Sequence, residues 1–219
     1  MNKIYATLRE RICTNRYPPG TVLNEGELGE EFGISRTPIR QVLQKLSHDG
    51  LVETKNGVGT LVTEIDTRTI ADLYRLRMKL AEMIGEFSQS VDATPHIAVF
   101  EALLERAREL GPRPDYPAIG RINVAVVEAL QNLIGSEPLR EVTAMLYFRT
   151  ARVWHRAIPH LDWDEERDLV NAEIKEILRA LRLGEIESVG FVRRNFIAMA
   201  FARLSRYLET AGDPPGASR

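Results

Sequence analysis

Apolar side chains recur along this chain in two periods, and the change of period divides it. Ile4, Leu8 and Ile12 stand four residues apart, which predicts a short amphipathic helix within residues 2–16. YPPG at residues 17–20 stops it, since proline cannot continue a helix and glycine favours a turn. Leu28 and Phe32 then mark one helical face, and Ile39, Leu43 and Leu46 a second. Gly33 falls between them, where a tight turn needs positive φ, and Gly29 is small where a second helix would cross closely. Ser35 suits an N-cap, and Pro38 is tolerated in a first turn. This pattern predicts a helix-turn-helix. Over residues 51–63 the period shortens, with the β-rich segments LVET and GTLVT around Asn56-Gly57, a strong hairpin signal. Helix, helix-turn-helix and hairpin together predict a winged helix over residues 1–63.

EIDTRT, residues 64–69, reads as a linker. Beyond it the period is helical throughout, and helices are expected near 67–91, 95–110, 116–134, 137–158, 163–183 and 185–210, broken by DATP, GPRPDYP, GSEP, IPHLDW and LGE. Long helices with short connections predict an antiparallel bundle over residues 70–210. DPPGASR at the end predicts a disordered tail within residues 211–219. The fold class is therefore mainly α, a winged helix-turn-helix followed by an all-α bundle.

Composition narrows the function. With 219 residues, 44% hydrophobic and 27% charged, the chain has the balance of a soluble globular protein of one large domain or two small ones. No apolar run reaches the length of about 18 residues that spans a bilayer. MNKIYATLRERI lacks the apolar core and cleavage site of a signal peptide. Cys13 stands alone and permits no internal disulfide, which suits a reducing cytoplasm. A net charge of −2 and a pI of 6.1 argue against indiscriminate nucleic-acid binding but leave room for a local patch.

Such a patch lies in GISRTPIRQVL, residues 33–43. Ser35, Arg36, Thr37 and Arg40 gather at one helix entrance, and no acidic residue intervenes between Ser35 and His48. Arginine offers paired donors that match guanine O6 and N7, while hydroxyls and backbone N–H groups bond phosphates. Helix-turn-helix proteins read base edges with the first turns of their second helix. The competing reading is a solvated helix start. At the hairpin, Asn56 and Gly57 would let a wing approach the DNA backbone or minor groove closely, or they form a mere β-turn.

At these residues a family comes into view. YATLRERICTNRYPPGTVLNEGELGEEFGISRTPIRQVLQKLSHDGLVETKNGVGTLV resembles the N-terminal domain of GntR-type bacterial transcription regulators, with PPG, SRTPIR and DGLVE in that family's order and spacing. The helical remainder resembles the FadR-type (FCD-like) C-terminal effector domain, through weaker motifs. The resemblance implies a homodimer that grips or releases a short inverted-repeat DNA operator when a small metabolite binds. It also implies DNA contacts for Arg36, Thr37 and Arg40. One departure stands out. Many relatives carry an arginine in the second helix, within an acidic-Arg-acidic-Leu pattern, where EGEL here places Gly26.

The bundle offers a second candidate site. Ile70, Leu73, Leu80, Ile84, Phe87 and Val91 form a seam that includes Arg77. Ile119, Val126, Leu130 and Leu133 include Asn123; Val142, Leu146 and Val153 flank Arg149; and Val192, Met199 and Ala202 flank Asn195. Four helices are thus expected to turn one polar residue each toward an apolar interior, and buried arginine needs a partner. That partner is either an internal carboxylate (Glu82, Glu128 or Glu173) or the carboxylate or phosphate of a bound metabolite. Tyr147 would add a hydroxyl donor or simply pack. Many FadR-type domains bind a metal through an Asp and a His at i, i+4 and two later His. Aligned on LIGSEPL, AEIKEILRAL and VRRNF, those positions are Asn123, Val127, Ile174 and Asn195 here, so the resemblance implies a metal-free pocket without a cofactor. His155, His160, Asp162 and Asp164 form a separate cluster, at a helix end and loop, that is open to a metal reading.

The expected function is a DNA-binding regulator, a repressor, responsive to a small organic anion. Two alternatives remain, a helical-bundle enzyme and a DNA-binding adaptor whose bundle only dimerises. The enzyme reading lacks an HExxH, GxSxG, Walker or dinucleotide motif.

Overall fold

In the computed structural model, which describes residues 2–64, 67–88 and 92–211, the first helix α1 (Asn2–Cys13) lies within the expected residues 2–16 and carries Ile4, Leu8 and Ile12. Asn15 adopts φ 57°, a left-handed conformation that terminates a helix, and Tyr17 N–H returns to the Arg11 carbonyl at 3.0 Å. The chain groups into two units. One is Met1–Asp66 with Tyr147–Arg156, and the other is Thr67–Leu146 with Ala157–Arg219.

In the first unit, strand β1 (Val22–Leu23) precedes α2 (Glu25–Phe32) and α3 (Arg36–His48), and β2 (Val52–Lys55) and β3 (Gly59–Val62) follow. Asn24 caps α2, accepting from Gly26 N–H at 2.7 Å. Gly33 ends α2 at φ 65°, and a Cβ on Gly29 would lie 2.9 Å from the Ile34 carbonyl. These two glycines set the sharp turn that the sequence predicts. Leu8, Ile12, Ile39, Leu46 and Leu51 fill the core and are fully buried. The sheet has the order β1-β3-β2 and is antiparallel throughout, with Val22 opposite Leu61 and Val52 opposite Val62. The hairpin is as predicted; β1 is an addition, a two-residue strand too short to show alternation. Asn56, Gly57 and Val58 form the exposed tip, with Gly57 at φ 77°.

The second unit is all-helical: α4 (Thr67–Glu82), a 3₁₀ turn (Glu86–Ser88), α5 (Thr94–Arg108), α6 (Tyr116–Leu133), α7 (Glu137–Ala157), a second 3₁₀ turn (Ile158–His160), α8 (Trp163–Arg182) and α9 (Ile186–Ala211). Residues 147–156 of α7 are the exception, since they group with the first unit. Phe100, Ile119, Leu133, Ile174 and Leu204 have no exposed surface. The first bundle helix was expected to reach residue 91, yet α4 stops at Glu82. Close approach explains this: a Cβ on Gly190 of α9 would lie 2.6 Å from the Ala81 carbonyl, and one on Gly85 would overlap Glu187 of α9. Val91, the middle of the expected linker and the tail from residue 212 lie outside the described residues.

Candidate nucleic-acid interface

Helix α3 begins with a cap that is only half made. Ser35 occupies the N-cap position with extended backbone (φ −70°, ψ 166°), but its hydroxyl makes no capping hydrogen bond. Ser35, Arg36 and Thr37 are exposed, and their side chains make no hydrogen bond or ion pair among the described residues. Hydroxyl, guanidinium and hydroxyl thus stand at the positive end of one helix without a hydrogen-bond partner among the described residues.

Arg40, one turn further on, is braced. Its Nε donates to Glu25 Oε1 at 2.9 Å and its Nη2 to Glu25 Oε2 at 2.8 Å. The fork engages Nε and Nη2, and the hydrogen bonds from Arg40, joined by the charge of Arg36, hold the Glu25 carboxyl below the usual carboxylate range. Gly26 sits beside this pair. A Cβ there would lie 3.3 Å from Arg36 Nη2 and 3.1 Å from Asn24 Oδ1. The Arg36 guanidinium therefore lies over Gly26, in the space a side chain at position 26 would take. Sequence reasoning found Arg36 and Arg40 but missed Glu25, whose carboxylate is fifteen positions away from Arg40 in the chain.

The far end of α3 is anchored within the same unit. Tyr5 OH donates to Asp49 Oδ2 at 2.5 Å, and burial followed by this hydrogen bond raises the phenol's pKa. Arg11 of α1 forms a bidentate pair with Glu31 of α2, with Nη1 also donating to Tyr17 OH at 2.7 Å. Arg149 Nε donates to the Asp49 carbonyl at 2.8 Å. Arg152 is buried and its Nη1 donates to the Thr63 carbonyl at 2.6 Å. These bonds revise the bundle expectation. Arg149 and the buried Tyr147 fall in the first unit, and Arg149 meets a backbone carbonyl at the end of α3 rather than joining a polar ring inside the bundle.

Of the other candidates, Arg77 is buried on α4 with its guanidinium 4.9 Å from the Tyr74 ring centroid. Val127 and Ile174 are buried, and Asn123 is half-buried. Asn195 is exposed and accepts from Arg194, so it does not share their interior. Met199, on the stripe expected to flank Asn195, and Val142, on that of Arg149, are exposed too. Of the internal carboxylates, Glu173 pairs with Arg193 at 2.5 Å, and Glu82 with Lys79 at 3.0 Å. The cluster open to a metal reading is not assembled. His155 packs against Trp154, His160 stacks on Tyr207, Asp162 caps α8 through Glu165 N–H and Asp164 pairs with Arg167. Among the described residues no group of three or more His, Cys, Asp or Glu is placed to hold a metal ion. No described helix is long and apolar enough to cross a membrane.

A winged helix that exposes donors at the first turn of its second helix has the geometry that DNA-binding helix-turn-helix proteins use. More particularly, residues 1–62 match the family of bacterial regulatory proteins, gntR family, so the chain carries a GntR-family helix-turn-helix domain. The relatives it matches are regulators rather than enzymes. The chain is 29% identical over 98 residues to the gluconate operon transcriptional repressor of Bacillus subtilis (strain 168), covering 45% of this chain and 40% of that protein. It is 48% identical over 54 residues to the fatty acid metabolism regulator protein of Escherichia coli O1:K1 / APEC, covering 24% and 23%. These matches, like the stronger ones, span less than two thirds of the relatives' own length. The structure of E. coli McbR/YncC superimposes with a TM-score of 0.79 at 20% identity, over 93% of this chain and 96% of that one, and so shares the fold.

Proposed function

We propose that this chain is a transcriptional repressor that binds a short inverted-repeat operator as a homodimer and responds to a small organic anion held by its helical unit. The observation that carries the reading is the start of α3, where Ser35, Arg36 and Thr37 are exposed, without a hydrogen-bond partner among the described residues, beside a braced Arg40. In this reading Arg36 and Arg40 address guanine edges in the major groove, Ser35 and Thr37 bond phosphates, and the wing tip at Asn56 and Gly57 lies along the backbone. The repressor sense follows the similarity to the gluconate operon transcriptional repressor.

The effector part rests on Arg77, a buried cation on an apolar seam, with Asn123 assisting and Val127 and Ile174 as walls. A compound with one anionic group and a hydrocarbon portion suits that lining. Two units that each bind a ligand also provide the coupling that regulation requires.

The experiment is a fluorescence-anisotropy titration of the purified chain on genomic fragments it retains, at several salt concentrations, with and without candidate carboxylates. Saturable binding whose affinity falls steeply with salt, and release by one class of anion, is the expected result. Equal affinity for every duplex at moderate salt would overturn the operator reading. Unchanged binding with all anions would overturn the effector reading alone.

A further inference from the structure

We propose that the helical unit carries an anion-binding site in the cavity between the end of α5 and the start of α6, separate from the Arg77 seam and independent of the operator reading. Arg106 near the end of α5, Arg113 in the connecting loop and Arg121 on α6 line one cavity of about 640 Å³. All three are exposed, and among the described residues none of them meets a carboxylate within ion-pair distance. Their neighbours behave differently. Arg108, two positions from Arg106, pairs with Glu105 at 2.6 Å, and in the same unit Arg182 pairs with Glu101 at 2.6 Å. Three guanidiniums around one concavity favour negative charge among them.

The protein's own carboxylates do not supply that charge in full. Glu109 and Asp115 share the lining, but Asp115 is committed to the cap of α6, accepting from Ala118 N–H at 2.9 Å. Two carboxylates thus share the lining with three cations, which leaves a net positive charge. The buried Leu110 and Ile122 add apolar surface to the lining. The loop that presents Arg113 is tied down, because Trp163 Nε1 donates to the Gly111 carbonyl at 2.9 Å and the Tyr116 and Trp163 rings meet in a T-shaped pair with centroids 5.9 Å apart. A preset loop lowers the ordering cost of binding.

Arginine forks match carboxylates and phosphates in bidentate fashion, and the volume lies within the range of small-molecule sites. The ligand class is therefore a small organic molecule bearing two or more carboxylate or phosphate groups on a short hydrocarbon frame. The test is isothermal titration calorimetry on the full chain with pyrophosphate and with citrate, at about 0.15 M chloride to screen diffuse attraction. Arg106→Gln, Arg113→Gln and Arg121→Gln change exposed side chains, and circular dichroism checks that each still folds. Saturable binding of either probe at one site per chain, weakened roughly tenfold or more in Arg113→Gln and Arg121→Gln, is the expected result. Pyrophosphate alone would mark a phosphoryl ligand and citrate alone a carboxylate ligand, and both support the site. No saturable heat with either probe, or wild-type affinity in all three variants, overturns it. DNA takes no part in this test, so its failure leaves the operator reading standing.

Discussion

Glu25, Gly26, Arg36 and Arg40 act as one group. Glu25 holds Arg40 by two hydrogen bonds, and Gly26 leaves the space over which Arg36 lies. The two arginines were legible from their position at a helix start, but Glu25 and Gly26 were not, because pairing across a turn depends on how two helices cross rather than on spacing. The resemblance marks Gly26 as a missing contact, whereas in the structure the Arg36 guanidinium takes the space that a side chain there would fill. The expected effect of Glu25→Ala is reduced discrimination at the base addressed by Arg40, smaller than that of Arg40→Ala, with Arg36-dependent positions unchanged; binding-site selection reads this directly. A second residue-scale outcome concerns Cys13, 2% exposed, whose thiol burial pushes up to about 12 against the opposing charges of Arg152 and Arg9. Iodoacetamide should leave Cys13 unmodified in the native protein and alkylate it in denaturant, as followed by mass spectrometry.

Helix boundaries were legible wherever period and punctuation agreed. The start of α3, the hairpin and helices α5 to α9 fall within a few residues of expectation. Two elements were not legible for physical reasons. Strand β1 exists through pairing with β3, since two residues carry no alternation of their own. Helix α4 ends where Gly85 and Gly190 bring it and α9 into backbone contact, which no local pattern reports. In the candidate effector site, helical period identified stripes but not what each stripe faces. The stripes of α4, α6 and α8 place Arg77, Val127 and Ile174 inside, while Asn195 on α9 is exposed and Arg149 on α7 meets the end of α3. At the helix turn, Gly29→Ala would press a methyl group to 2.9 Å from the Ile34 carbonyl. A loss of about 1–3 kcal/mol is expected, the usual cost of overpacking, and a urea melt measures it.

Across the whole molecule, stability should depend on pH through His155. Burial pushes its pKa down from 6.5 to about 4, so the folded chain holds it neutral where the unfolded chain takes up a proton. The contribution is complete above pH 6.5 and is lost as pH falls toward 4, by roughly 1–3 kcal/mol. His155→Gln should flatten the thermal melting profile over that window, and an unchanged slope would assign it to other groups. Buried pairs brace the helical unit in a different way. Glu166 with Arg203 and Glu173 with Arg193 hold α8 to α9, and removing one partner would strand a buried charge. All this scaffolding matters to function only if the start of α3 reads DNA. The most direct measurement is selection of duplexes from a random pool by the wild-type chain, Arg36→Ala and Arg40→Ala, followed by sequencing. The account predicts an inverted repeat for the wild type and loss of preference at a distinct guanine in each half-site for each variant, by about tenfold or more. Retention of the full wild-type preference by both variants would contradict it.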